Sequence, residues 1–257
     1  MDIRTQAAKA EQFRKLHHGP KMLLLPNAWD VASARILEEA GHPAIATTSA
    51  GIAYSLGYAD GQRISREEML SIVARIARAV RVPVTADLEA GYGDTPDAAA
   101  KSATQILKAG AIGINIEDGL SGGRRQLVGP EQHAAKIKAV RDATQKLGIR
   151  LFINARTDPF LLKFGSPDEC LNEAARRAKV YADAGADGIF VPGLTDLALI
   201  EKFVQRTPLP VNIMVTQGVP EIADLARIGV RRHCVAWLQL VGMPRIFSAL
   251  ANASSDS

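Results

Sequence analysis

Apolar positions along this chain come in short, nearly unbroken runs separated by longer stretches of mixed polarity. Eight such runs stand out: "KMLLLP" (21–26), "AIATTS" (44–49), "VPVTADLE" (82–89), "IGINIED" (112–118), "RLFINART" (150–157), "DGIFVPG" (187–193), "LPVNIMV" (209–215) and "RRHCVAW" (231–237). Runs of this kind suit strands buried on both faces. Between them, segments such as "DAAAKSATQILKAG" and "DECLNEAARRAKVYADAG" place apolar residues three and four apart, the spacing of an amphipathic helix. Strands each followed by a helix predict a closed parallel (β/α)8 TIM barrel rather than an open sheet.

A weak repeat agrees. "EEAGHPAIATTS", "LKAGAIGINIED", "ADAGADGIFVPG" and "ARIGVRRHCVAW" each run from a helix end through glycine into a strand. Gly41, Gly110, Gly185 and Gly229 thus occupy the place where a left-handed residue stops a helix. Residues 1–19 read as an extra N-terminal helix and 252–257 as a frayed tail. No linker interrupts the pattern, so 1–257 reads as a single barrel domain.

Composition narrows the class. The chain has 257 residues, 47% of them hydrophobic, enough for a large core. Its formal charge is +4 with both signs interspersed, which argues against a nucleic-acid partner. Cys170 and Cys234 show no disulfide or zinc spacing. No apolar stretch reaches the ~20 residues needed to span a bilayer, and the charged N-terminus lacks a secretory pattern. These features predict a cytoplasmic protein without a membrane partner.

In barrels of this type chemistry collects at the C-terminal strand ends. Those ends supply Thr47, Thr48 and Ser49; Asp87 and Glu89; Glu117 and Asp118; Asn154, Arg156 and Asp158; and Asn212, with Asp60 in the "GYADG" segment close behind. Carboxylates from adjacent strands with no lysine between them repel one another. A hard divalent cation with oxygen ligands resolves this: Mg2+, with Mn2+ as a substitute. The competing reading is helix capping and arginine pairing around the rim. No strand carries an interior lysine for a Schiff base, strand eight lacks a glycine-rich phosphate turn, and no G-x-S-x-G, H-E-x-x-H or P-loop is present.

The segments "LPNAWDVASARILEEAG", "TTSAGIAYSLGYADG", "VPVTADLEAGYGD", "GINIEDG" and "NARTD", in this order, resemble the isocitrate lyase/phosphoenolpyruvate mutase superfamily. The resemblance implies a Mg2+-dependent barrel, a small carboxylate substrate and a homo-oligomer, dimer or tetramer, often with an exchanged C-terminal helix. Carried over by position, Asp87 is the direct metal ligand, Glu89 and Glu117 hold its waters, and Asp60 orients that shell. Thr48, Ser49 and Ala50 offer backbone N–H groups to the substrate carboxylate. Arg156 pairs with substrate oxygens, Asn212 lines the pocket, and Tyr92 packs over the site.

The departures matter as much. Superfamily lyases carry K-[KR]-C-G-H in the loop after strand four; here the loop reads "EDGLSGGRRQLVGPE" and has no such cysteine. Cleavage through that cysteine is excluded, and the Lys and Asn of phosphonate-active members are missing too. Instead Arg124 and Arg125, beside Gly122 and Gly123, are candidates to close on a second carboxylate of the substrate. His233 and Cys234 are adjacent on one strand and point to opposite faces, so at most one lines the barrel. His17 and His18 read as surface residues, Cys170 as packing, and Asp30 as a helix cap. The chain is expected to be a Mg2+-dependent lyase or decarboxylase of a small 2-oxo or 2-hydroxy acid, working through a pyruvate-enolate-like intermediate. Decarboxylation of an oxaloacetate-like acid needs the least equipment. The alternatives are a phosphonopyruvate mutase or hydrolase, and a 2-oxo-acid-binding barrel with little catalysis.

Overall fold

The computed structural model describes residues 2–121 and 124–236. In chain order its elements are α1 (Ile3–His18), β1 (Leu23–Ala28), α2 (Val31–Glu39), β2 (Ile45–Thr47), α3 (Ser49–Ser55), α4 (Arg66–Ala79), β3 (Val84–Asp87), α5 (Pro96–Ala109), β4 (Gly113–Glu117), β5 (Leu120–Ser121), β6 (Arg124–Arg125), α6 (Pro130–Gln145), β7 (Phe152–Arg156), α7 (Pro167–Asp183), β8 (Gly188–Phe190), α8 (Leu197–Arg206), β9 (Val211–Met214), α9 (Ile222–Arg227) and β10 (Arg232–Ala236). Strands β1, β2, β3, β4, β7, β8, β9 and β10 close into a parallel barrel, in the order β1-β10-β9-β8-β7-β4-β3-β2. Each coincides with one of the eight apolar runs. The tail at 252–257 and the C-terminal segment of any helix exchange lie outside the described residues.

The strands are apolar because they are covered twice, by side chains inside the barrel and by helices outside. All five residues of β4 are buried, as are four of the five in β7. Helix ends follow the glycines. Gly41, Gly110, Gly185 and Gly229 all take positive φ, between 86° and 103°, a conformation that costs glycine least. Asp30 caps α2 by accepting from Ser33 N at 2.7 Å. Among the described residues no helix is long and apolar enough to cross a membrane.

The N-terminal helix corrects one expectation. Its buried residues are Gln6, Ala10, Phe13 and His17, one stripe of an amphipathic helix. The stripe closes the bottom of the barrel: Phe13 meets Phe152 edge-on at 5.2 Å and His17 stacks on the same ring at 4.1 Å. His17 is therefore core, while His18 is exposed as expected.

Inside the barrel, alternation along β10 directs Arg232 and Cys234 inward and His233 outward. Arg232 crosses to the facing strand, its Nη2 3.4 Å from Asn115 Oδ1. Small residues make room for these polar side chains. A Cβ at Gly113 would lie 2.7 Å from Thr85 Oγ1, and one at Gly188 2.9 Å from Asn154 Oδ1.

Candidate active site

Three neighbouring strands build the charged wall of the site. In register, Asp87 of β3 pairs with Asn115 of β4, and Glu117 of β4 pairs with Arg156 of β7. Arg156 Nη1 lies 2.7 Å from Glu117 Oε2, and its Nε and Nη2 donate to Asp158 at 2.8 and 2.9 Å. Burial opposes the charge on Arg156, but Glu117 and Asp158 outweigh it and hold the guanidinium well above its ordinary pKa. Glu117 is pushed above the usual carboxylate range by burial, with Asp158, Asp87 and Glu89 adding to the push against the pull of Arg156.

Glu89 lies in the turn that follows β3. Burial, then the charges of Asp87 and Asp60, raise its pKa to about 7. Its carboxylate accepts from Gln62 N and, at 3.3 Å, from Tyr92 Oη. Tyr92 thus reaches one carboxylate, Glu89, through its hydroxyl. The turn is tight: Glu89 and Tyr92 have φ of 49° and 54°, and Gly91 and Gly93 are also positive. At Gly91 a Cβ would come within 3.1 Å of Ala99 Cβ. Buried Lys136 of α6 fastens the turn from behind, donating from Nζ to Ala90 O at 3.0 Å and Gly93 O at 2.8 Å.

A cavity of about 410 Å³ opens against this wall. Its lining includes Thr48, Ser49, Ala50, Asp60, Asp87, Arg125 and Arg156 among the sequence-derived candidates. Ser49 donates to Asp87 Oδ2 from its backbone N–H at 3.2 Å and its hydroxyl at 2.6 Å. Of the three N–H groups expected to meet a substrate carboxylate, that of Ser49 is therefore engaged by Asp87, and that of Thr48 donates to Ala28 O at 3.1 Å. Arg125 Nη2 pairs with Asp60 Oδ2 at 2.8 Å, bringing the β5–β6 hairpin to the cavity mouth. Gly122 and Gly123 lie outside the described residues, as does the Arg124 side chain.

Other candidates sit elsewhere. Asn212 is fully buried and is not among the lining residues; Met214, two residues on, is. Asp118 faces away from the cavity, since it follows inward-facing Glu117. It accepts from Arg177 Nη1 at 2.9 Å, Tyr181 Oη at 2.6 Å and Thr157 Oγ1 at 2.7 Å, an anchor between barrel and helices. Cys170, buried and free, gives its thiol to Pro159 O at 3.4 Å. Of the His233–Cys234 pair, the cysteine lines the cavity.

Asn115 is the main residue that the motif reading missed. It lines the cavity, and its Oδ1 accepts from Asn154 Nδ2 at 2.8 Å as well as from Arg232. That arrangement leaves the amide Nδ2 as the donor on the cavity side. Its position two residues before Glu117 on a strand was the signal for it.

The oxygen donors of Asp87, Glu89 and Glu117, with the repulsion lifting Glu89, fit a hard divalent cation. Among the described residues no group of three or more carboxylate, histidine or cysteine side chains is already gathered tightly enough to hold one. An ion here would have few direct side-chain ligands and would keep waters, the habit of Mg2+.

The sequence model of phosphoenolpyruvate phosphomutases matches residues 13–247. An uncharacterized protein of Mycobacterium tuberculosis is 38% identical over 220 residues, covering 86% of this chain and 80% of that one. The oxaloacetate decarboxylase of Ectopseudomonas mendocina is 32% identical over 228 residues, covering 85% and 75%. A 2,3-dimethylmalate lyase of the same superfamily superimposes with a TM-score of 0.81 at 26% identity, covering 96% of this chain and 85% of that one.

Proposed function

The chain belongs to the isocitrate lyase/phosphoenolpyruvate mutase superfamily, a family of lyases and mutases, and from that premise we propose a Mg2+-dependent carbon–carbon lyase or decarboxylase. Its substrate is a small 2-oxo or 2-hydroxy carboxylic acid, cleaved through a pyruvate-enolate-like intermediate. One observation carries this reading: Asp87 and Arg156 line a single cavity from strands either side of β4, with Glu117 paired to Arg156 and the like-charged Glu89 behind the lining.

In this reading Asp87 would hold the ion directly, Glu89 and Glu117 would hold its waters, and Asp60 would orient that shell. Bound there, Mg2+ would supply a Lewis acid to the developing negative charge. The remaining work falls to the chain itself. Arg156, rigidly held by Glu117 and Asp158, faces the negative charge that develops as the carbon–carbon bond breaks. A preorganised cation there is worth a few kcal/mol, because its contact strengthens in the transition state. Asn115 offers its oriented Nδ2 to a substrate oxygen, and of the Thr48–Ala50 turn it is the Ala50 N–H that meets the carboxylate, those of Thr48 and Ser49 being engaged by Ala28 O and Asp87. Arg125, held by Asp60, covers the mouth on the charged side. A phosphonopyruvate mutase or hydrolase is the second reading, favoured by the family whose model matches.

The test is thermal unfolding with Mg2+, with oxalate (a stand-in for the enolate), and with both. At 100 times its dissociation constant a ligand adds about 2.7 kcal/mol. A shift that needs both components supports the reading; no shift with both together removes it. Phosphorus NMR after adding phosphonopyruvate separates the second reading, which requires a changed spectrum.

A further inference from the structure

The two halves of the cavity differ in chemistry. Its charged lining residues, Asp60, Asp87, Arg125 and Arg156, stand on the side of β2, β3, β4 and β7. Opposite them the lining is Leu161, Leu162, Phe190, Pro192, Met214 and Cys234, from the turn after β7 and from β8, β9 and β10 with their ends. Among the described residues no charged side chain of the lining belongs to that half, and the amide of Asn27 marks its edge; the nearest buried cation, Arg232, lies below Cys234 on β10, outside the lining, and reaches across to Asn115. Neither cation is free to serve it. Arg125 is held by Asp60, and Arg156 is divided between Glu117 and Asp158.

The apolar half is a built surface. Gly193, at φ 83°, lets the turn approach so closely that a Cβ there would lie 3.0 Å from Leu161 N and 3.2 Å from its Cα. Leu162 N donates to Asp158 O at 2.9 Å, which ties the turn to the residue that holds Arg156. Met214 and Cys234 are register partners on adjacent strands, so their side chains stand together. Phe190 lies under Arg156, with the guanidinium carbon 5.8 Å from the ring centroid, and joins the two halves.

A second carboxylate sent into this half would give up its water with no cation to meet it. An alkyl group would gain about fourfold in affinity for each methylene buried. We propose that the acid taken by this site carries one carboxylate, at the charged end, and an apolar group beyond C3 seated against Leu162, Phe190, Met214 and Cys234. The proposal rests on the reading above for where the carboxylate lies, and it narrows the substrate from any small 2-oxo acid to an alkyl-substituted one.

Calorimetry on the full chain, with and without Mg2+, tests it. The titrants are oxalate, then 2-oxobutyrate and 2-oxopentanoate, then the shape-matched pair 5-methyl-2-oxohexanoate and 2-oxoglutarate. Affinity should rise about fourfold from 2-oxobutyrate to 2-oxopentanoate, and the isopropyl-ended acid should bind about tenfold or more tightly than 2-oxoglutarate. Met214→Lys, or Leu162→Arg should the first variant not fold, should reverse that preference. A 2-oxoglutarate affinity equal to or above that of its isostere overturns the proposal even if oxalate binds with Mg2+. If the alkyl preference appears while oxalate binding ignores Mg2+, the metal reading falls and the apolar half stands. Binding of none of these acids overturns both.

Discussion

Arg156, half-buried, lies 2.7 Å from buried Glu117, its neighbour in register on the adjacent strand. The pair decides how this position must be probed. Arg156→Ala leaves Glu117 and Asp158 buried without a counter-charge, which costs about 3–5 kcal/mol of stability and confuses binding with folding. Arg156→Lys keeps the charge but loses the fork that reaches both partners. The lysine variant should stay folded and bind Mg2+ with oxalate about tenfold more weakly, as the loss of one charge-assisted hydrogen bond implies. Equal affinity in calorimetry would mean that Arg156 is only a strut for the barrel rim.

Asp87 is held by Ser49 through two donors, yet its charge also raises Glu89. Asp87→Asn keeps the shape and removes that repulsion. The melting temperature without metal should therefore stay within a few degrees of the original, a change of about 1 kcal/mol or less. The additional stabilisation by Mg2+ with oxalate should vanish. A variant that still responds to Mg2+ would place the ion elsewhere.

Much of this was legible in the chain because local physics encodes it. The doubly covered strands read as apolar runs, the glycines at 41, 110, 185 and 229 had to be left-handed, and Asp30 had the residue type of a cap. The charged wall followed from strand ends alone. What escaped depends on which way a residue turns, or on distant parts meeting. Asn115 and Met214 lie two residues from named candidates and needed only the alternation rule. Burial of His17 needed the docking of α1 on Phe152. The apolar half needed the path of the turn at 160–162 against Gly193, and no local pattern records it. The pairing of Asp60 with Arg125, 65 residues apart, is of the same kind.

Lys136 tests whether the turn after β3 depends on support from behind. Its ammonium satisfies Ala90 O and Gly93 O on either side of two residues, Gly91 and Tyr92, with positive φ. Lys136→Met fills similar volume but leaves buried carbonyls unpaired, at about 2–3 kcal/mol. Urea unfolding should show that loss. Calorimetry should show weaker Mg2+ binding, although Lys136 is not proposed to touch the ion. Unchanged Mg2+ affinity at reduced stability would make Lys136 a packing residue and no more.

Two buried histidines predict acid sensitivity. Burial lowers His17 and His133 to about 3, so both are neutral in the folded chain. The unfolded chain takes up their protons near the ordinary pKa of ~6.5 and the folded chain does so only near 3, so their stabilisation is complete above ~6.5 and drains away as pH falls from there toward 3. Each removes about 1.4 kcal/mol per pH unit in that window, so moving from pH 7.5 to 5.5 should cost roughly 2–3 kcal/mol for the two together. Glu89, raised to about 7 by burial and its like-charged neighbours, works in the opposite direction, because its proton is held more tightly in the folded chain. The total curve therefore mixes both signs, and variants are needed to separate them. In urea unfolding at the two pH values, His17→Leu should shrink the acid loss by about 1.4 kcal/mol. An acid loss unchanged in both His17→Leu and His133→Leu would show that these rings are already protonated in the fold, or reach water through openings that the packing around Phe152 and Tyr181 does not reveal.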